Sequence, residues 1–108
     1  MRIIAGRVRT DKEGYLLDLS DWNADVAHGI AAANGVKLTE NHWEIIQLLR
    51  DFYAKHEISP PMRPLVRRVR ESLGAGKGTS IYLLRLFPGS PAKLAAKIAG
   101  LPRPTHCL

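Results

Sequence analysis

Glycine and proline divide this chain into short segments, and that division limits its fold more than any other feature of the sequence. Asn34-Gly35, Pro60-Pro61 and Pro88-Gly89 interrupt apolar patterns that otherwise repeat with helical spacing. Proline cannot donate the backbone hydrogen bond that a helix interior needs, and glycine commonly ends a helix. The sequence therefore predicts a mainly α fold, in which a compact domain contains about five helices.

The clearest helix is predicted over residues 40–56, with Thr39 as its N-cap. Its apolar residues form one broad face, so we expect it to be the core helix: Trp43, Ile45, Ile46, Leu49, Phe52 and Tyr53. Another helix is predicted over residues 62–73, because apolar residues resume at helical spacing after Pro61 and stop before Gly74.

The N-terminal region favours a small β-hairpin. In RIIAGRVRTDKEGYLLDL, short β-favouring runs flank a turn candidate at residues 11–14. Farther along, Ser20 or Asp21 is expected to cap a helix that runs to about Ala33 and stops at Asn34-Gly35.

Two more helices are predicted after residue 78, beginning at Thr79 and at Ser90. The preceding GAGKGTS has the composition of a phosphate-binding loop, but that motif needs glycine where Glu71 stands and serine or threonine at Gly78. The segment also follows a predicted helix, whereas the motif follows a strand. We therefore interpret it as a turn between helices.

The residues after Gly100 are predicted to form an extended arm. Pro102 and Pro104 disfavour helix at their own positions and at the residues before them. The sequence therefore predicts a helical domain with its N-terminal hairpin over residues 1–100 and a mobile C-terminal arm over residues 101–108.

The size and composition of the chain exclude several classes of protein. Its 108 residues, 45% of them hydrophobic, suit one folded domain. No apolar run approaches a membrane span or a signal peptide, so we expect a cytoplasmic protein. We expect no metal and no small-molecule cofactor, because a single cysteine and four histidines lack ligand spacing: His28, His42, His56 and His106.

Positive charge is concentrated in the C-terminal half. Residues 1–56 carry 7 Lys or Arg against 8 Asp or Glu, whereas residues 57–108 carry 9 against 2. Arg63, Arg67 and Arg70 share the side of their helix that faces away from its apolar residues. We predict partner binding there, and a merely solvated surface fits the sequence as well. The pair of helices predicted over residues 40–56 and 62–73 also permits a DNA-binding helix-turn-helix, although arginine alone mostly contacts phosphate.

The only cysteine, Cys107, stands in the predicted arm, beyond two prolines. A lone cysteine is often a small buried apolar residue, but this position does not join a core easily. The seven residues from Gly100 to Cys107 span about 23 to 25 Å when fully extended. The carboxylate of Leu108 works against the nucleophilic thiolate, and positive charge from Arg103 and His106 offsets that effect. We expect a thiol that is modest alone and is activated mainly in a partner's site. We therefore predict Cys107 as the catalytic residue and Arg103 as a further partner contact.

Four segments in order resemble the DsrC/TusE family: TDKEGYL, LTENHWEIIQLLRDFY, GKGTSIYLLRLFPGSPAK and GLPRPTHCL. The resemblance runs from about Thr10 to Leu108. It implies a compact helical domain with an N-terminal β-hairpin and a mobile C-terminal arm. It also implies a sulfur carrier, because the family's arm cysteine holds sulfur as a persulfide and aligns with Cys107.

One difference from the DsrC branch of the family limits which activity the resemblance implies. DsrC, the partner of dissimilatory sulfite reductase, has a second arm cysteine at the position of Ala96. The single-cysteine branch is implied to take sulfur from the TusBCD complex and pass it to the thiouridylase MnmA, for 2-thiouridine at the tRNA wobble position. Two alternatives stay open: a DsrC-like partner or regulator in sulfur metabolism, and a basic helix-turn-helix protein that binds nucleic acid.

Overall fold

The structure is a computed structural model that describes residues 2–4 and 8–105, with side chains from residue 8 onward. Within these residues, two short strands precede five α-helices, which confirms the predicted mainly α fold. The elements are β1 Arg2–Ile4, β2 Val8–Thr10, α1 Ala24–Ala33, α2 Glu40–His56, α3 Met62–Leu73, α4 Ser80–Leu86 and α5 Pro91–Ile98. The described helices lack the combination of length and apolarity that a membrane span requires.

A β-hairpin is present at the N-terminus as predicted, but its strands are β1 and β2, and the turn predicted at residues 11–14 lies beyond them. Strands β1 and β2 are antiparallel, with Ile3 opposite Arg9. The turn at residues 11–14 follows β2 and leads into one isolated bridge between Thr10 and Leu16. The Asp11 carboxylate holds this turn by accepting hydrogen bonds from the backbone N–H groups of residues 13 and 15.

Helix α1 begins later than the sequence predicts. Ser20 and Asp21 belong to a single 3-10 turn, Leu19–Asp21, rather than capping the helix. Trp22 is then extended, and Asn23 is the true N-cap, with its side chain accepting a 2.9 Å bond from the N–H of residue 26. The Asp18 carboxylate favours the early turn because it accepts hydrogen bonds from both the hydroxyl and the N–H of Ser20.

Thr39 begins α2 as predicted, and His42 reinforces this start. The Thr39 N–H donates to Nδ1 of His42, 3.1 Å away, so that nitrogen is the acceptor. The other ring nitrogen, Nε2, lies 2.8 Å from the Leu86 carbonyl and donates to it. The buried imidazole therefore joins α2 to the end of α4.

Helix α5 lies at the centre of the molecule and contacts the four other helices. Four of its positions are fully or almost fully buried small residues, at Ala92, Ala95, Ala96 and Ala99, the last of which caps the helix. Small side chains let neighbouring helices approach closely. Helix α2, predicted as the core helix, contributes buried Ile45, Ile46 and Leu49 to the same core.

The GAGKGTS segment forms the turn between α3 and α4, as predicted. Gly78 is buried there against the backbone of α3, and a β-carbon at this position would lie 2.5 Å from Cα of Arg70. Its carbonyl accepts a 3.2 Å bond from Nη2 of the same arginine. The glycine is therefore needed for close packing between the turn and the helix.

Candidate functional site

The arm leaves the body through a Schellman motif at the end of α5. Gly100 has a φ of +73°, and its N–H donates to the Lys97 carbonyl at 3.1 Å. The Leu101 N–H donates to the Ala96 carbonyl at 2.9 Å, and the Leu101 side chain is only 3% exposed. These two bonds satisfy the last carbonyls of the helix and set the direction in which the arm departs.

Trp22 and Arg50 hold the same helix end from the side. The indole Nε1 of Trp22 donates to the Ile98 carbonyl at 2.9 Å, and Nη1 of Arg50 donates to the Ala99 carbonyl at 2.7 Å. The Arg50 guanidinium also stacks 3.8 Å above the centre of the Trp22 ring. Partial burial there lowers the pKa of Arg50 from its ordinary value. A cation at a helix C-terminus complements the helix dipole, so this contact stabilises the point from which the arm starts.

The first residues of the arm lie against two loops of the body. The Ser59 hydroxyl, in the loop between α2 and α3, donates to the Pro102 carbonyl at 2.5 Å. The Arg103 guanidinium bonds both carboxylate oxygens of Glu13, at 3.0 and 3.2 Å. Pro104 is buried. We call residues 99–104 the arm root, because their contacts attach the arm to the body.

The predicted catalytic residue lies outside the described residues. Cys107 is three residues beyond Pro104 in the chain. His106, two residues beyond Pro104, also lies outside the described residues. Three residues of extended chain span about 10 to 11 Å at most. The covalent chain alone therefore keeps the Cys107 backbone within that distance of Pro104 while the arm root stays in place.

The arginine face of α3 is present as predicted. Arg63, Arg67 and Arg70 are exposed, whereas Leu65 and Val69 on the opposite side are fully buried. The neighbouring Arg68 faces α2 instead, with its guanidinium 5.4 Å from the Phe52 ring centre. The predicted contact residues are thus divided between two elements, since Arg103 belongs to the arm root and pairs with Glu13.

The surface of the described residues includes a groove beside α2 and another beside the arm root. One lies between α2 and α3 and has a volume of about 760 Å³, with Trp43, Leu48, Phe52 and Leu73 among its lining residues. The other runs beside the arm root and is lined by Asp11, Glu13, Tyr15, Leu16, Leu17, Leu19, Pro102 and Arg103. Within the described part of the chain, no three His, Cys, Asp or Glu side chains are grouped to hold a metal ion.

Sequence reasoning missed the residues that anchor the arm root. Trp22, Arg50 and Ser59 contact backbone carbonyls that are 43 to 76 positions away in the chain. No local pattern indicates such pairs. The one available signal was Gly100, which was predicted to close α5.

The described residues form a small helical domain whose C-terminal segment is attached at the arm root, and comparison with known proteins identifies its family. A family model described as "DsrC like protein" matches residues 3–108. The chain belongs to the DsrC-like family.

Curated relatives of this chain include proteins named sulfurtransferase. The chain is 52% identical over 101 residues to "Sulfurtransferase TusE homolog" of Haemophilus influenzae, covering 94% of this chain and 93% of that protein. It is 46% identical over 109 aligned positions to "Sulfurtransferase TusE" of Escherichia coli, covering the whole of both chains. These matches confirm the resemblance found in the sequence.

Solved structures of DsrC proteins are similar to this chain in fold. The NMR structure of Allochromatium vinosum DsrC has a TM-score of 0.86 and 46% identity, covering 96% of this chain and 94% of that one. The crystal structure of the oxidized gamma-subunit of dissimilatory sulfite reductase (DsrC) from Archaeoglobus fulgidus has a TM-score of 0.84 and 38% identity, covering 98% and 97%.

Proposed function

We propose that this sulfurtransferase is a sulfur-relay carrier that accepts a persulfide sulfur on Cys107 and passes it on for 2-thiouridine formation at the tRNA wobble position. The observation that carries the proposal is the full-length match to relatives named sulfurtransferase TusE. The arm root supports it, because its contacts fix the point on the body from which the chain continues toward Cys107.

The proposed transfer needs only a thiolate and a persulfide. The Cys107 thiolate attacks the outer sulfur of a donor persulfide, forming a new S–S bond while the donor's S–S bond breaks. The electron pair of the broken bond leaves on the donor sulfur, which becomes a thiolate. The sulfur atom moves without net oxidation, so the step requires no cofactor. In the second half of the cycle, Cys107 is the donor.

The proposed partners are the TusBCD complex upstream and the thiouridylase MnmA with its tRNA downstream, in the cytoplasm. The exposed arginines of α3 supply a surface to which an acidic partner or a tRNA backbone is attracted: Arg63, Arg67 and Arg70. Arg103 is proposed as a further contact, although an incoming partner would first compete with its ion pair to Glu13.

A DsrC-like partner or regulator in sulfur metabolism is the second candidate. The similarity to two DsrC structures favours it. Ala96 argues against the two-cysteine chemistry of that branch, because this chain has no second thiol with which Cys107 can form an internal disulfide. Ala96 is also fully buried in α5.

Mass spectrometry of the intact protein tests the proposed function. The protein is incubated with cysteine, a cysteine desulfurase and TusBCD, and we expect a mass increase of about 32 Da, corresponding to one added sulfur atom. Cys107→Ser should take up no sulfur, because a serine hydroxyl is almost never ionised at neutral pH. Thiolated tRNA formed at the wild-type rate with Cys107→Ser as the only carrier would exclude the proposal.

A further inference from the structure

Four large apolar side chains of the described residues are strongly exposed, and two of them lie beside the arm root. Leu17 is 53% exposed and lines the groove that also contains Pro102. Ile58 is 55% exposed and precedes Ser59, whose hydroxyl bonds the Pro102 carbonyl. Ile81 and Leu84, the other two, belong to α4 and do not line this groove.

We propose that Leu17 and Ile58, with Leu19 and Pro102, form the surface on which a sulfur-exchanging protein docks while Cys107 enters its active site. We call these four residues the arm-root surface. The proposal rests on the proposed function, because it assumes that Cys107 exchanges sulfur. It adds where the partner sits and which chemistry the partner presents: an apolar patch next to a persulfide cysteine.

The length of chain between Pro104, which is buried, and Cys107 leads to this location. Cys107 is three residues past Pro104, so its backbone stays within about 10 to 11 Å of that proline while the arm root holds. A partner must bring its reactive cysteine into this short range. This short reach brings the partner's surface close to the part of the body that surrounds the arm root.

The character of that surface suits a transient protein contact. Covering exposed leucine and isoleucine side chains with a partner lowers the free energy, because apolar surface is removed from water. Grouped apolar residues with a polar rim are typical of docking sites. Asp11, Glu13 and Arg103 supply the polar rim. The pairing of Glu13 with Arg103 already neutralises two of these charges, so an apolar partner patch meets little unbalanced charge.

Paired double variants test the proposal. Leu17→Lys with Ile58→Lys places two charges on the arm-root surface, and Ile81→Lys with Leu84→Lys places the same charges on α4. The measurement is the initial rate at which sulfur-loaded TusBCD transfers sulfur to Cys107. We expect the first pair to lower this rate by about tenfold or more. The second pair should stay within about twofold of the wild type.

Two controls separate docking from damage to the fold or the thiol. Thermal unfolding followed by circular dichroism should be similar for all variants, because the substituted side chains are exposed. Alkylation of Cys107 by iodoacetamide should proceed at the wild-type rate, since that small reagent needs no docking surface. Binding of the unloaded TusBCD complex to the Cys107→Ser protein should survive and should weaken when the Leu17 and Ile58 changes are added.

The outcomes distinguish the docking surface from the proposed function. Transfer at an unchanged rate with the Leu17 and Ile58 changes would overturn the docking surface and leave the sulfur relay standing. An equal loss with the α4 pair would overturn it too, because the effect would then not belong to the arm root. Failure of the wild-type protein to take sulfur from loaded TusBCD would remove the proposed function, and the docking proposal with it.

Discussion

At the scale of single residues, Gly100 has two separate reasons to be glycine. Its φ of +73° lies in the left-handed region, which other residues rarely adopt. A β-carbon there would also lie 2.5 Å from Cγ of Trp22, the ring that bonds the end of α5 and stacks under Arg50. The start of the arm therefore depends on the absence of one methyl group.

The two reasons can be separated by comparing Gly100→Ala with Gly35→Ala. Gly35 has the same φ of +73°, but a β-carbon there would meet nothing within 4 Å. We expect Gly35→Ala to lower the free energy of unfolding by about 1 to 2 kcal/mol, from backbone strain alone. Gly100→Ala should cost roughly 3 kcal/mol or more, because Trp22 must also move. Urea denaturation measures both, and equal losses would show that the Trp22 contact adds nothing.

The same residues show how far sequence reasoning reaches into the site. Gly100 was predictable as a helix end, because glycine after an apolar periodic segment is a local signal. Trp22, Arg50 and Ser59 were not predictable as anchors, since each bonds a carbonyl that chain folding brings near. The arginine side of α3 was predictable because a single helix places its residues on faces by spacing alone.

At the scale of elements, α3 has one buried face and one basic face. Arg63 and Arg67 are exposed on the second, whereas Arg70 also bonds the Gly78 carbonyl. Changing Arg70 would therefore disturb the turn before α4 as well as the surface charge. Arg63 and Arg67 are the cleaner probes of partner binding.

We expect Arg63→Glu with Arg67→Glu to weaken binding to the MnmA–tRNA complex by about threefold to tenfold at low salt, with a smaller effect at high salt. The physical reason is lost attraction to an acidic or phosphate-bearing surface. Lys37→Glu with Arg85→Glu is the matched control, because it reverses two exposed charges that lie outside α3 and outside the arm-root groove. Fluorescence anisotropy of labelled tRNA reports the affinity. Equal effects of the two pairs would mean that only net charge matters.

The 3-10 turn before α1 should make a pH-dependent contribution. Hydrogen bonds from the Ser20 hydroxyl and N–H, with the charge of Arg9, hold the pKa of Asp18 below its ordinary value of 3.8. The unfolded chain therefore binds this proton more readily, so the stabilisation is present above pH 3.8 and is lost as the pH falls through the folded pKa. Asp18→Asn should lower the midpoint temperature of thermal unfolding at neutral pH. At a pH below the folded pKa of Asp18, the variant and the wild type should have similar midpoint temperatures. A difference independent of pH would contradict this account.

At the scale of the whole molecule, packing does not stop where the helices stop. The sequence predicts a domain over residues 1–100 and a mobile arm over residues 101–108, a division that stays a prediction. The structure buries Leu101 and Pro104 against the body, and Ser59 bonds the Pro102 carbonyl. The first part of the arm therefore shares contacts with the body, beyond the point at which its prolines end the helix.

The stabilities of two truncated proteins test whether the folded domain ends at residue 100 or includes the arm root. A chain that ends at Gly100 loses the buried Leu101 side chain and the contacts of Pro104, whereas one that ends at Thr105 keeps both. We expect the shorter chain to have a free energy of unfolding lower by about 2 to 4 kcal/mol, mainly from lost apolar burial. Chemical denaturation measures the difference. Equal stabilities would place the boundary at residue 100 and contradict a packed arm root.

The sequence by itself determined the helices α2 and α3, the caps at Thr39 and Thr79, and the end of α5 at Gly100. Local rules decide these features, because spacing, capping side chains and proline act within a few residues. Only the tertiary structure decided that the alanine-rich α5 lies at the centre and that loops distant in sequence hold the arm root. Those outcomes depend on which surfaces meet when the helices pack, and no single segment contains that information.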